Sequence, residues 1–394
     1  ISNLTKNTFI SFQLAKLGLK AFCSLPLESK KMEERNMKKK VKTGILSVLL
    51  AMVLVGGTVI PGVLAAPVVA QPQQIAAAGY DLEIQSIFDS AADYEKYPQM
   101  EDPQEEVQFL ESYVSPAQKA INAMKARQYS DEQITSVLNE HGYGWDPKTG
   151  SCWKGRAPTP EEQKDINYIR GPNYSPFTQI NESFSETEKD GTRDSAAGAT
   201  MNLVDENTYF GINLYMCPGD MAISSTGTFQ HVVTTHVGKR KPSGADDWTE
   251  AGVARSMNDP TRQYFTYDND EGGWQFHGTA SSSASKNYKI YITSTYESAG
   301  YVYHIWIDGS WKRSGHLYYR QTKYNCANEI WALGSNPFSH DATSSDFQNI
   351  YLYKTTGYQW WGNYPATQTY WSPDNPPYET HYMYGSSWRW LTWA

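Results

Sequence analysis

An antiparallel β-sandwich preceded by a small α-helical segment is the fold class that this 394-residue sequence predicts. Three observations predict it. From about residue 198, short strand-like runs recur at regular spacing with turn residues between them, which favours hairpins over βαβ units. Aromatic residues make up 14% of the chain, including 28 tyrosines, and most fall in that same part; such side chains suit a pleated, half-buried surface. Residues 71–165, by contrast, carry helix caps.

In chain order, residues 1–36 hold no clear motif. Met37 then opens MKKKVKTG, followed by a long apolar stretch with small residues at Val63-x-Ala65 and Val68-x-Ala70. A basic start, an apolar middle and small residues at the end make a secretory signal. Met37 is therefore the expected true start, with residues 1–36 as upstream reading frame. Gly44–Leu64 is also long enough to span a bilayer, so a retained anchor is the alternative. Gly56, Gly57 and Pro61 weaken it as a helix. The expectation is export to the extracellular space.

Residues 1–70 hold 10 Lys/Arg and 3 Asp/Glu, which leaves 24 basic and 39 acidic residues, a net charge of −15, in the remainder. Such a chain repels nucleic acid and anionic lipid, so neither is an expected partner, and a membrane enters only if the signal segment stays attached. An acidic exported protein is also at home at low pH. Beyond the signal lie Cys152, Cys217 and Cys326, an odd number that allows at most one disulfide. Cys217 and Cys326 share the β-rich part and are the expected pair. No CxxC is present, and no metal or cofactor is expected. His231 and His236, five apart, fall on opposite faces of a strand. Asp268-Asn-Asp-Glu-Gly-Gly lacks the later bidentate acid of a calcium loop and reads as a solvated turn.

Helices are predicted over PQEEVQFLESYV and over SPAQKAINAMKARQ, the latter with Ser115 as N-cap and Pro116 first in the helix. In SDEQITSVLNEHGYG, Ser130 caps, Gln133 closes a capping box and Gly142 ends the helix. A turn-rich connector, GYGWDPKTGSCWKGRAPTPEEQ, follows. The whole segment, 71–165, reads as a pro-segment or an independent interaction module. Residues 166–197 are polar and read as an exposed linker, with glycosylation sequons at Asn173 and Asn181.

Strands are then expected at ATMNLVD, YFGINLYM, FQHVVTTHVG, WTEAGVARS, RQYFTYD, WQFHGTA, NYKIYITSTY, YVYHIWID, SWKRSGHLYY, CANEIWAL and FQNIYLYK. Asp308-Gly309 is the strongest hairpin signal. Residues 358–394 hold twelve Tyr and Trp, and end in THYMYGSSWRWLTW, which reads as an edge hairpin packing its rings on the sandwich. An aromatic platform for sugar rings is the sharper alternative.

No GxSxG, HExxH or P-loop pattern occurs. What remains is a glutamate centred in each of two strands, Glu250 and Glu329, with Trp248 and Trp331 two residues away on the same face. A carboxyl buried beside an indole has its charged form disfavoured. Two such groups facing each other would share a proton and titrate as a pair. One member would act as general base on water and the other would donate to a developing oxyanion. Surface placement of either glutamate is the competing reading.

WTEAGV, then about eighty strand-rich residues, then CANEIW resembles the arrangement in the glutamic peptidases, the fungal eqolisins and plant neprosins, over about 210–355. The resemblance implies a concanavalin-like jelly-roll sandwich and an endopeptidase acting at acid pH. It also implies a precursor with an N-terminal pro-region and no cofactor. Glu250 stands where eqolisins carry Gln and matches the neprosin version, while Glu329 matches the shared catalytic Glu. On that reading Glu329 is the general base, Glu250 the protonated donor, and Trp248, Trp331 and Tyr264 shape the floor. The cysteine-rich stretches of a typical neprosin are absent. The alternative is a non-catalytic, lectin-like carbohydrate-binding sandwich; a glycosidase or lyase on the same fold ranks last. Where the two glutamates point separates these readings.

Overall fold

The computed structural model describes residues 82–98, 100–163, 195–203, 205–221, 228–256, 261–332, 345–361, 368–371, 379–383 and 389–393. The signal segment, the sequons and nearly all of the linker lie outside them. Five helices come first: α1 (Leu82–Asp89), α2 (Ala91–Tyr94), α3 (Pro103–Ser112), α4 (Pro116–Ala126) and α5 (Asp131–Glu140). Asp102 and Ser115 each accept a backbone N–H at the starts of α3 and α4, with Pro in the first turn. At Ser130 and Gln133 both halves of the capping box form. Gly142 follows α5 with φ +78°, a conformation glycine adopts without strain. None of the described helices is long and apolar enough to cross a membrane.

Strands follow as β1 (Tyr143–Trp145), β2 (Cys152–Lys154), β3 (Ser195–Leu203), β4 (Gly211–Cys217), β5 (Thr228–Arg240) and β6 (Asp246–Ser256). Next come β7 (Gln263–Asp268), β8 (Gln275–Thr279), β9 (Lys286–Glu297), β10 (Gly300–Ile307), β11 (Ser310–Leu317) and β12 (Lys323–Ala332). Last are β13 (Ser345–Lys354), β14 (Gly357–Trp360), β15 (Gln368–Trp371), β16 (Glu379–Met383) and β17 (Arg389–Trp393). All pair antiparallel in two sheets, ordered β1-β2-β11-β10-β9-β4-β13-β17-β16, with β14 on β13, and β15-β3-β12-β5-β6-β7-β8. This is the β-sandwich that the strand spacing predicts. Asp308 and Gly309 close the β10–β11 hairpin with φ +52° and +70°, the two positive values that a type I′ turn requires. At the C-terminus β16 and β17 form the expected hairpin, and β17 joins the sandwich edge along β13.

The main core lies between the sheets. Ile212, Leu214, Ile290, Ile292, Ile305 and Tyr303 come from the ten-stranded sheet; Val233, Val237, Ala251, Val253, Tyr324 and Cys326 come from the seven-stranded one. Each set alternates along its strand, as one buried face of a pleat demands. Cys217 and Cys326 are not joined. They stand in different sheets, and facing sheets lie roughly 10 Å apart while a disulfide needs Cα atoms within about 7 Å. Instead Cys217 Sγ donates to Ser282 O at 3.4 Å, and Cys326 Sγ to Thr235 Oγ1 at 3.8 Å.

The helical segment is built into the sandwich. Strand β2, from the stretch read as connector, pairs with β11 at Arg313 and Ser314. Tyr97 N donates to Gly309 O and Trp311 N to Glu95 O, while Arg156 and Phe276 exchange both backbone bonds. Helix α3 lies on the outer face of β9. There Glu111 accepts from Tyr291 Oη, from Ser294 N and Oγ, and from Arg320. An ordered ladder and a set of side-chain bonds of this kind do not let go when the chain is cut elsewhere. Cleavage within 164–194 is therefore expected to leave both fragments in one particle, as read by native mass spectrometry. Separation of the fragments without denaturant would contradict this.

The Asp268–Gly273 turn is solvated only in part: Asp270 and Gly272 are exposed, as its composition predicts, while its other two acids are buried. Asp268 is fully buried and Glu271 is 4% exposed, because the β7–β8 hairpin tucks against β11. Asp268 accepts from the backbone N–H groups of Asp270 and Glu271 and from Tyr303 Oη. Burial raises its pKa, with Arg313 opposing. Nearby, His316 stands between Glu271 and Glu297, with ring nitrogens 3.1 and 3.2 Å from their carboxylates. Burial opposes its charge, but the two carboxylates prevail and lift it to about 9.

The folded value of His316 lies above the unfolded ~6.5, so its stabilisation is complete below about pH 6.5 and is lost as pH rises through 9. Urea melts should show a loss on the order of 2 kcal/mol across that window, absent in His316→Gln. Equal slopes in the two proteins would refute the assignment.

Candidate functional site on the seven-stranded sheet

Which face of the sheet each residue occupies follows from register. Val232, Ala254 and Phe265 belong to a second, smaller cluster with Trp274 and Phe276, separate from the main core. Residues of the same parity on β5, β6, β7 and β12 therefore line the outer face, turned away from the ten-stranded sheet. Across that face, Glu250 of β6 pairs with His236 of β5, and His236 pairs with Asn325 of β12. Glu329 is four residues beyond Asn325, in register with Val232, so it occupies the same face.

Glu250 is fully buried. Its Oε2 lies 3.0 Å from His236 Nε2 and accepts from Thr234 Oγ1, also at 3.0 Å. His236 Nδ1 is 2.9 Å from Asn325 Oδ1. An amide oxygen only accepts, so Nδ1 carries the hydrogen. That leaves Nε2 and the Glu250 carboxyl to divide one proton, as neutral acid with imidazole or as carboxylate with imidazolium. A chain Asn325–His236–Glu250–Thr234 thus crosses three strands with its proton position adjustable at one end.

An aromatic wall adjoins this chain. The Trp248 ring centroid is 5.3 Å from that of His236 and 4.9 Å from Tyr267, and Tyr267 is 5.5 Å from Trp274. Trp274 stacks on Phe265 at 4.3 Å. Trp248 therefore stands beside Glu250 as the alternation predicts. Tyr264 does not. It pairs with Val253, packs against the main core, and faces away from Glu250, because its position on β7 has the opposite parity; Tyr267 takes the place assigned to it. Trp331 lies in β12 opposite Gln230, and its side chain falls outside the described residues.

Glu250 and Glu329 share a face but not a hydrogen bond. Two interstrand steps of ~4.8 Å and four residues of ~3.3 Å put their Cα atoms about 16 Å apart. A proton shared directly between the two carboxyls does not fit this arrangement, and His236 is the proton partner that Glu250 has. The reason is register: spacing within each strand gives the face, while pairing through β5 sets the offset along it. Glu329, 8% exposed, is the most accessible member of the row.

Thr234, Asn325, Tyr267 and Trp274 were not singled out in the sequence, and His236 was read there only against His231. One local signal points to His236. The Lys241–Gly244 stretch reads as a tight connection, with Gly244 at φ +91°, and a hairpin centred on Ser243 places His236 opposite Glu250. His231, as its spacing predicts, faces the core instead, where its Nε2 is 2.7 Å from Asn328 Oδ1.

No family model matches the chain, and no curated protein matches it. Similar solved structures include Scytalido-glutamic peptidase with a peptide-based transition-state analogue, at 8% identity and TM-score 0.33 over 51% of this chain and 98% of that one. SCP-B, a member of the eqolisin family in complex with the tripeptide Ala-Ile-His, aligns at 8% identity and TM-score 0.31 over the same shares. The carbohydrate-binding module CBM66 from Bacillus subtilis aligns at 11% identity and TM-score 0.21, over 36% of this chain and 81% of that one. These are fold-level likenesses to β-sandwich proteins that include both peptidases and carbohydrate-active proteins.

Proposed function

We propose that the chain is an exported glutamic-type endopeptidase that works at acid pH from the outer face of the seven-stranded sheet. One observation carries the reading: both glutamates stand on that face, in a row where Glu250 is held by His236 and Thr234. Glu250, with its proton divided with His236, is the acid that protonates the substrate as charge develops. Glu329, the more accessible carboxyl, is the base that takes a proton from water. The offset makes them a separated pair that flanks a bound peptide, in place of the shared-proton dyad. Trp248 and Tyr267 exclude water beside the acid.

The same offset favours a second reading, a non-catalytic glycan-binding face in which the aromatic wall stacks on sugar rings. Incubation of purified 71–394 with a denatured protein substrate between pH 3 and 7, read by intact mass, separates the two. Fragments that appear at the acid end support the peptidase. A folded protein that cleaves nothing at any pH leaves the glycan reading.

A further inference from the structure

On the opposite sheet, well apart from the two glutamates, the outer face of β9, β4 and β13 forms the floor of a cavity of about 220 Å³ beneath α3 and the β10–β11 turn. Its floor carries unspent hydrogen-bonding capacity. Asn213 is 3% exposed, and its Oδ1 accepts from Asn287 Nδ2 at 2.9 Å, so its own Nδ2 points both hydrogens at no described partner. Asn287 Nδ2 also donates to Leu214 O at 3.2 Å, which leaves Asn287 Oδ1 as an acceptor without a described donor. Lys289, 3% exposed, donates to Glu106 Oε1 at 2.5 Å and sits 3.2 Å over the Tyr97 ring, with hydrogens remaining. These groups open onto the cavity, where the hydroxyls of a ligand can replace the water that meets them.

The walls say what kind of molecule. Tyr351 and Tyr358 line one side with ring centroids 4.5 Å apart, and Tyr215, 41% exposed, lines another. Flat rings beside amide groups suit a molecule with C–H faces and hydroxyl edges. Charge excludes the alternatives. Lys289 is paired with Glu106 and Asp308 with Lys286, so neither is left as a counter-charge for an ionic ligand, and Glu101 on the rim disfavours an anion. The volume is below the roughly 300–1,000 Å³ of pockets for drug-sized ligands, which limits the occupant to about one ring.

We propose that this cavity binds a single neutral sugar ring, with Asn213, Asn287 and Lys289 reading its hydroxyls and Tyr215 and Tyr351 packing on its C–H face. The site is independent of the peptidase reading. The ring is either a free monosaccharide or the terminal residue of a glycan chain, since both present the same chemistry.

Saturation-transfer NMR on the full chain tests it, with glucose, galactose, mannose and N-acetylglucosamine as probes, each alone and at the non-reducing end of a tetrasaccharide. Transfer to the ring C–H protons of at least one sugar is expected. Tyr215→Ala, at an exposed position, and the near-isosteric Asn213→Asp should each weaken that binding about tenfold. Tighter binding of the tetrasaccharide assigns the glycan terminus; equal binding assigns the free sugar. Absence of transfer from every probe to folded protein, which would mean that the cavity holds only water, overturns the proposal. So does undiminished affinity in either variant.

Discussion

Glu250→Gln is expected to abolish acid-pH cleavage while leaving the fold intact. Gln keeps the shape of the side chain, and its amide oxygen still accepts from Thr234. What it lacks is a proton to donate and a charge to place beside His236. General acid–base groups contribute typically 10²–10⁴-fold to rate. A loss of that size in the turnover number, with the substrate still bound, is the expected result. Glu329→Gln should cost a comparable factor, because water then lacks its base. His236→Gln is the informative third variant. If His236 divides the proton with Glu250, its removal shifts the acid limb of the pH–rate profile rather than only lowering its height. Retained cleavage in either glutamate variant would remove that residue from the mechanism, and loss of cleavage through unfolding is detected by circular dichroism.

Glu106→Ala is expected to destabilise the whole chain by about 3–5 kcal/mol. Lys289 is 3% exposed, and its ammonium has Glu106 as its carboxylate partner at 2.5 Å. Burial lowers the lysine pKa to about 8, with Glu106 working the other way. Burial likewise opposes the charge of Glu106, but Lys289 beside it and the hydroxyls of Tyr353 and Tyr97 hold the carboxyl below its ordinary range. Truncating the glutamate strands the ammonium and two tyrosine hydroxyls in one step, at the junction of α3 with the ten-stranded sheet. The paired change Glu106→Leu with Lys289→Met should recover the part of the loss that the stranded ammonium causes, since replacing both charges by apolar groups removes the desolvation penalty, but not the part due to the two hydroxyls. Chemical denaturation of the three proteins measures this. A Glu106→Ala midpoint equal to the parent's would show that the junction contributes little.

Much of this architecture is local in origin. The caps at Asp102, Ser115 and Ser130, the Asp308-Gly309 turn and the alternation along each strand act over a few residues, and they determined helix starts, the tightest hairpin and which side chains share a face. That is why Glu250 could be placed on the face of its strand that carries Trp248, and Glu329 on the face of its own strand that carries Trp331, before any strand was paired. Tertiary structure decided the rest. Strand β2 is three residues long in a turn-rich connector, and it is held as a strand by β1 on one side and the open edge of β11 on the other. The 16 Å offset between the glutamates, the pairing of Glu250 with His236 and the parity of Tyr264 all depend on register between strands. Register between β12 and β5 joins positions about ninety residues apart, where no turn links the two strands and only the match of buried faces selects among offsets. The cysteines obey the same rule: proximity in composition put Cys217 and Cys326 together, and their assignment to different sheets kept them apart.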